Sequence, residues 1–373
     1  MLNALRDTHA ARAATAQGGE FLRATLWTSR DILMASTHTV ESTPDTVRSG
    51  YLDPAATPVA TILPGDSVSY PHTWTHWGNE ATFGMSFADR EPLRHRYPRG
   101  PYSMLGPVEV AGAEPGDVIE CSITRLRTID WGWNSFPLGV GALPNDFTEP
   151  YVHYFRFDDA RTVAEFTHGI RLPMAPFLGV VAAEPTGDDT VSAILAGATG
   201  GNLVLRDLGV GSHLFLPVAK AGGRIWIGDV HALQGDGVVD QTAIETAAED
   251  LDIRYDLHKS VPLRGPLGET ESAWILVAFA ATLDDATVAC VRQVISWLSG
   301  VAQITEPEAY ALASMAVSFR VTQYANQTAS AYSSIPPKAV HAVIGKDIFP
   351  AEIRARITAW LRPGGLRHDA VHS

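Results

Sequence analysis

Between Gly200 and Gly237, ionisable and amide side chains are interleaved with glycines in a pattern that can assemble a reaction centre. The stretch reads Gly200-Gly201-Asn202, then Gly211-Ser212, then Gly228-Asp229-Val230-His231-Ala232-Leu233-Gln234-Gly235-Asp236-Gly237. Asp229 and His231 are two apart, and on an extended strand such residues point to one face. A carboxylate and an imidazole on one face can share a proton, orient a water, or both ligate a cation. Glycines around them let the backbone approach a ligand closely. Asp229, His231 and Asp236 are therefore the candidate catalytic residues, with Asn202 and Gln234 as candidate substrate contacts. The competing reading is a run of tight Gly-Asp turns with satisfied polar side chains, and composition alone does not separate the two.

Asp229 and His231 also offer the oxygen and nitrogen ligand atoms that suit zinc or another divalent metal. A site needs at least one further protein ligand, so no cofactor is fixed at this level. A second cluster, His72-Thr73-Trp74-Thr75-His76-Trp77, follows a strand. It reads either as a pocket wall for a flat ligand or as a packed aromatic loop in which each His finds a hydrogen bond. His76, Trp74 and Trp77, with Trp133 of Trp131-Gly132-Trp133-Asn134, are taken as substrate-binding candidates. The Gly/Pro loop 136–144 beside Trp133 reads as a packing or gating loop.

The elements that must hold these residues are mostly strands. From residue 59 to 123 the chain is short β-type runs punctuated by Pro64-Gly65-Asp66 and Glu114-Pro115-Gly116-Asp117, where Pro presets φ and Gly takes the positive-φ position. Val118-Ile119-Glu120-Cys121-Ser122-Ile123 reads as a strand. Leu214-Phe215-Leu216-Pro217-Val218 and Arg224-Ile225-Trp226-Ile227 read as a hairpin joined through Ala221-Gly222-Gly223. Helices come late. One starts at Asp284-Asp285, carries Val288, Val291, Val294, Ile295 and Leu298 on one stripe, and stops at Gly300. Thr305-Glu306-Pro307-Glu308 is a capping box that opens the next. Residues 315–323 return to strand character, and Ile353, Ile357 and Leu361 mark a terminal helix. Strand-rich first and helical later, the chain reads as a β-rich α+β fold, a β-sandwich core with an appended α/β portion.

Composition bounds the partners. A chain of 373 residues with 46% hydrophobic and 18% charged residues buries a large core. Its net charge of -13 argues against nucleic acid or an anionic membrane, because phosphate binding needs a clustered basic face. The short basic run Arg94-His95-Arg96 with Arg99 reads as a solvated loop. Two cysteines, Cys121 and Cys290, sit in apolar runs and read as buried thiols; their number excludes a disulfide framework or a cysteine zinc site. No stretch is apolar enough to span a membrane, and the first residues lack the apolar core of a secretory signal, so a cytoplasmic location is expected. The expected layout is a flexible N-terminal extension over 1–40, one domain over 41–362, and a frayed tail over 363–373.

Five blocks, in order, tie the chain to a known family. Residues 106–117, ending Gly112-Ala113-Glu114-Pro115-Gly116-Asp117, and Pro176-Phe177-Leu178-Gly179-Val180-Val181 supply two. Gly200-Gly201-Asn202 and Gly228-Asp229-Val230-His231-Ala232-Leu233-Gln234-Gly235-Asp236-Gly237 supply the next two, and residues 308–323 the fifth. In order and spacing these resemble the acetamidase/formamidase family over about residues 59–349. The resemblance implies a 41–362 domain of that type, with a jelly-roll-like sandwich and association into a homo-oligomer. It also implies hydrolysis of the C–N bond of formamide, acetamide or a similar small amide, assisted by a metal or carboxylates rather than a Ser nucleophile. Tyr332-Ser333-Ser334-Ile335-Pro336-Pro337-Lys338 fits a turn before a strand, lacking the glycine-rich run of Ser/Lys amidases. No Gly-x-Gly-x-x-Gly opens a helix for a nucleotide.

The chain also departs from the family's pattern. Where the first glycine block normally carries Asp, this sequence has Val204; where the second normally ends in Glu, it has Val238. Ser318 replaces an Asp or Asn, and Tyr102-Ser103-Met104 stands where a His is usual. Two carboxylates replaced by the same apolar residue suggest a shared cavity that has become less polar. Three readings stay open here: an amidase for a small or moderately apolar amide, a cyclase or lyase acting on a larger apolar ligand, and a non-catalytic small-molecule-binding protein.

Overall fold

Gly116, at φ 93°, closes the turn that launches the strand Val118–Thr128, and that strand is central to one of two large sheets. The computed structural model describes residues 35–324 and 332–364. The nine-stranded sheet runs Thr37–Thr39, Ser67–Ser69, Ala248–His258, Val118–Thr128, His213–Pro217, Leu267–Glu269, Ala273–Ala280, Lys338–Gly345, Val317–Gln323. The ten-stranded sheet runs Ala196–Gly197, Gly200–Asn202, Phe177–Ala183, Ile225–Leu233, Ile244–Thr246, Trp131–Phe136, Tyr151–Arg156. Ser103–Val110 pairs with Ile225–Leu233 and carries Val47–Ser49 and Ala60–Ile62. Ile119, Cys121, Leu214, Ile253 and Ile275 from the first sheet share one apolar core with Leu105, Val108, Leu178, Ile225 and Ile227 from the second. That is a two-layer β arrangement, held by side chains of both inner faces.

Three helices pack at one end. α3 (Leu283–Ala302) buries Cys290, Val294 and Leu298 against Ala273–Ala280 and Lys338–Gly345, and α4 (Glu306–Ala316) and α5 (Ala351–Leu361) pack on α3, burying Ala309, Ala313 and Ile357 in the same cluster. The capping box is present: Thr305 Oγ1 accepts from the Glu308 amide at 3.4 Å, and Glu308 Oε2 accepts from the Thr305 amide at 2.8 Å. α3 does not stop at Gly300. It runs on to a left-handed cap at Gln303, φ 57°, and Val288 is exposed while Ala286, Cys290, Val294 and Leu298 form the inner stripe.

The expected hairpin is absent. His213–Pro217 belongs to the nine-stranded sheet and Ile225–Leu233 to the ten-stranded one, so Gly222 and Gly223 carry the chain from one layer to the other. Apolar runs without alternation do not reveal their partner, and a Gly-Gly turn serves a layer crossing as well as a hairpin. The strand Thr37–Thr39 lies inside the stretch expected to be an extension, and pairs with Ser67–Ser69. The rest of the expected extension, residues 1–34, lies outside the described residues, as does most of the expected tail, 365–373. Among the described residues no helix is long and apolar enough to cross a membrane.

A buried charge network joins α5 to the sheet. Arg362 Nη2 donates to Glu120 Oε1 at 2.6 Å and reaches Glu269 Oε2 at 2.7 Å, while His258 Nε2 and His213 Nδ1 approach Glu120 at 2.6 and 2.8 Å. Burial pushes the Glu120 pKa up, but His213, His258 and Arg362 outweigh it and hold the carboxyl well below its usual 4.5. A depressed folded-state pKa contributes stability that is present above the unfolded value and lost as pH falls below it. Urea denaturation between about pH 3 and pH 7 will therefore show stability falling below about pH 4.5 in the wild type. The Glu120→Gln variant will be less stable near neutrality, with a shallower acid slope.

Candidate functional site

Alternation along Ile225–Leu233 slips by one residue at Asp229, and this slip builds the site. Ile225, Ile227 and Val230 all belong to the shared core. Asp229 sits at φ 59°, outside the strand region, so both it and His231 turn away from that core. The neighbouring strand Phe177–Ala183 slips in step: Leu178 pairs with Val230 and Val180 with Gly228, leaving Gly179 opposite Asp229. Only glycine fits there, since a Cβ at Gly179 would lie 2.3 Å from Asp229 Oδ2 and 2.9 Å from His231 Cε1.

Four buried side chains then converge. His231 Nε2 lies 2.9 Å from Asp229 Oδ2 and 3.1 Å from Glu245 Oε2. His76 Nε2 lies 3.2 Å from Asp229 Oδ1 and 3.3 Å from Glu245 Oε2. His76 opens α1 (His76–Asn79), a single turn whose Trp77 and Gly78 have left-handed backbones; Glu245 comes from the strand Ile244–Thr246. Burial disfavours both imidazolium ions, yet the carboxylates of Asp229 and Glu245 win and raise the pKa of His76 and His231. Burial likewise opposes the Glu245 carboxylate, and His231 with His76 holds its pKa well below the usual value.

Distance and direction disagree in this cluster. Asp229 Oδ2, His231 Nε2 and Glu245 Oε2 approach one another closely but make no properly directed hydrogen bond, and all three are buried. Buried polar atoms left without a directed partner are a place where a bound group can satisfy them. Ligand atoms of His76, Asp229 and Glu245 lie within 4.8 Å of one another. His231 Nε2 stands beside this trio, 2.9 Å from Asp229 Oδ2 and 3.1 Å from Glu245 Oε2. Two imidazoles and two carboxylates are a donor set that fits zinc or a similar divalent cation.

A second layer fixes His231. Gln234 Nε2 donates to the Val204 carbonyl at 2.8 Å, which turns its Oε1 toward His231 Nδ1 at 3.1 Å. Nδ1 therefore carries the proton and Nε2 faces the centre. Val204 is itself held at φ 44°, with its amide donating to Gly179 O at 2.9 Å. Val238 sits at φ 41°. A β-branched residue in the left-handed region is strained, by roughly 1–2 kcal/mol, and persists only where its surroundings dictate it.

The cluster forms the wall of a cavity of about 90 Å³, room for a molecule of a few heavy atoms. His76, Trp77, Trp133, Asn202, Val204, His231, Val238 and Glu245 line it, joined by Arg90, Tyr102, Gln323 and Tyr332. Of the residues named from sequence, His76, Asp229, His231, Asn202, Gln234, Trp77 and Trp133 are in or beside it. Asp236 and Trp74 are not. Asp236 does not line the cavity, and its carboxylate lies 4.0 Å from Arg206 Nε and 3.9 Å from Arg320 Nη1. Trp74 packs against the shared core. Glu245, the second carboxylate, went unread: its one signal is a charged residue inside the apolar run Ala243-Ile244-Glu245-Thr246-Ala247-Ala248.

The sequence profile described as the Acetamidase/Formamidase family matches residues 99–190 and 182–350, well over half of the chain. The chain belongs to the acetamidase/formamidase family. A formamidase of Methylophilus methylotrophus is 27% identical over 209 residues, covering 42% of this chain and 51% of that protein. The chain spans about half the length of the curated relatives it matches. Two crystal structures share the architecture. An acetamidase from Yersinia enterocolitica superposes with TM-score 0.73 at 27% identity, covering 84% of this chain and 93% of that one. An acetamidase from Bacillus halodurans gives TM-score 0.74 at 24% identity, covering 83% and 98%. Val204 and Val238, where the sequence leads one to expect a departure from the family's pattern, both lie on the cavity wall.

Proposed function

We propose that the protein hydrolyses the C–N bond of a small amide at the His76–Asp229–His231–Glu245 cluster. The observation that carries this reading is a buried cluster in which ligand atoms of His76, Asp229 and Glu245 lie within 4.8 Å of one another, with His231 against both carboxylates, beside a small cavity. Family membership supports it, as do relatives named as a formamidase and as acetamidases. A divalent cation held by His76, Asp229 and Glu245 would polarise the amide carbonyl and make a water more acidic.

The chain's own groups take the remaining roles. Asn202 Nδ2 is committed to Ile194 O at 3.2 Å, while its Oδ1 is buried and unpaired, an acceptor available to the substrate's amide N–H. Tyr102 lines the cavity, its ring 5.4 Å from that of His76. Burial, then the charges of Asp229 and Glu245, outweigh a contact from Asn202 and keep its phenol well above the usual pKa, so it stays protonated and can donate. The proton taken from water must reach the departing nitrogen, and the imidazoles and carboxylates of the cluster, 2.9–3.3 Å apart, lie close enough to relay it. The test is ammonia release by purified protein from formamide, acetamide, propionamide and their carboxylate-bearing counterparts. Release from at least one, abolished by a chelator and restored by zinc, is expected; silence across the panel at high enzyme concentration overturns the reading.

A further inference from the structure

α2 (Phe87–Arg96) opens with a capping box between Ser86 and Asp89 and turns Arg90 and Leu93 inward. Arg90 is only 2% exposed and lines the cavity, yet among the described residues it makes no ion pair. The faces of its guanidinium are covered: the central carbon lies 4.9 Å from the Trp133 ring, 5.4 Å from Tyr154 and 5.5 Å from Trp77. In the guanidinium plane, Nε donates to Tyr154 Oη at 3.2 Å, while Nη2 is buried and has no acceptor. Aromatic faces support a cation but cannot satisfy its in-plane N–H groups. A buried arginine ordinarily faces a carboxylate, and the planar fork is shaped for one.

The position matters as much as the vacancy. The His76 ring lies 5.0 Å from the Trp133 ring that Arg90 also covers, so the hydrolytic cluster and the arginine flank one side chain. Arg94, with its guanidinium 5.7 Å from the Tyr332 ring, adds positive charge to the same lining. We propose that Arg90 recognises an anionic group on the substrate, so that the preferred substrate is a short carboxylate-bearing amide, such as the monoamide of a small dicarboxylic acid. This rests on the hydrolase reading. The amide sits at the His76–Asp229–His231–Glu245 cluster and the carboxylate takes the free edge of Arg90. A neutral amide leaves that edge unpaired and binds less well.

Succinamate and malonamate are compared with neutral amides of matched length, valeramide and butyramide, in wild type, Arg90→Met and Arg90→Lys. The acidic amides will show kcat/KM roughly 100-fold above their neutral counterparts in the wild type. Arg90→Met will collapse that ratio, chiefly through KM, and Arg90→Lys will recover part of it. A wild-type ratio near unity, or one unchanged by Arg90→Met, overturns the proposal. So does an equal fall in kcat for both classes, which would make Arg90 an oxyanion donor. Calorimetric titration with succinate separates the two readings. Binding that Arg90→Met abolishes, with no ammonia from any amide, keeps the anion site and sinks hydrolysis; ammonia release with succinate binding alike to wild type and variant does the reverse. If Arg90→Met fails to fold, Arg90→Lys and Arg90→Gln carry the same comparison.

Discussion

Glu245→Gln will lower kcat/KM by roughly 10³-fold or more while costing only about 1–2 kcal/mol of stability. The substitution keeps the shape of the side chain and an oxygen to accept the Ala243 amide, which Glu245 Oε1 now does at 2.9 Å. What it removes is the charge that faces both His76 and His231 at 3.3 and 3.1 Å. The imidazoles are not stranded as buried cations, because Asp229 still pairs with each and either ring can shed its proton. Chemistry suffers where stability does not: with one anionic ligand gone, the donor set no longer balances a divalent charge. Elemental analysis of untagged protein beside steady-state ammonia assays checks this. Stoichiometric metal in the wild type with its loss in the variant is expected; full activity in Glu245→Gln would remove Glu245 from the centre.

Gly179→Ala is expected to damage both fold and function through one methyl group. Its Cβ would stand 2.3 Å from Asp229 Oδ2 and 3.0 Å from the Asp229 carbonyl oxygen, and neither is the free end of a flexible chain. Asp229 is pinned by its left-handed backbone and by contacts to two histidines. The strands must part or the carboxylate must swing away. The first costs roughly 1–3 kcal/mol as overpacking, and the second misplaces a catalytic group, worth on the order of 10²-fold in rate. Denaturant melts with kcat measured on the folded fraction distinguish them. A variant with wild-type melting and wild-type kcat would mean that Asp229 is neither confined nor needed.

Much of the centre was legible because its residues cluster in sequence with glycines whose purpose is geometric. Asp229, His231 and Gln234 lie within one strand and its exit, and the expectation that Asp229 and His231 share a face holds. The reason differs from simple alternation, since the left-handed backbone at Asp229 resets the strand's phase. His76 could be named from its aromatic neighbours, though nothing in the sequence tied it to Asp229, 153 residues away. Glu245 was hidden because its role depends on which strand lies beside Ile225–Leu233, and pairing partners cannot be read from one apolar run. Asp236 has glycine neighbours like those of Asp229, yet its carboxylate lies nearest Arg206 and Arg320 and outside the cavity lining. The run Arg94-His95-Arg96 reads as a solvated loop but closes the helix α2 (Phe87–Arg96), and only tertiary packing places Arg90 of that helix under three aromatic rings. At fold level, the late helices were legible because caps are local, whereas α2 (Phe87–Arg96) interrupts a stretch that reads as short strands. The supposed hairpin at Gly222-Gly223 failed because a layer crossing is not local.

The central claim is that His76, Asp229, His231 and Glu245 act as one hydrolytic centre. Ammonia release from the best amide, measured side by side for wild type, His76→Ala, Asp229→Asn, His231→Ala and Glu245→Gln, tests it most directly. The account predicts release by the wild type and a fall of roughly 10³-fold or more in each folded variant. Wild-type release by a folded Asp229→Asn or His231→Ala protein would contradict it.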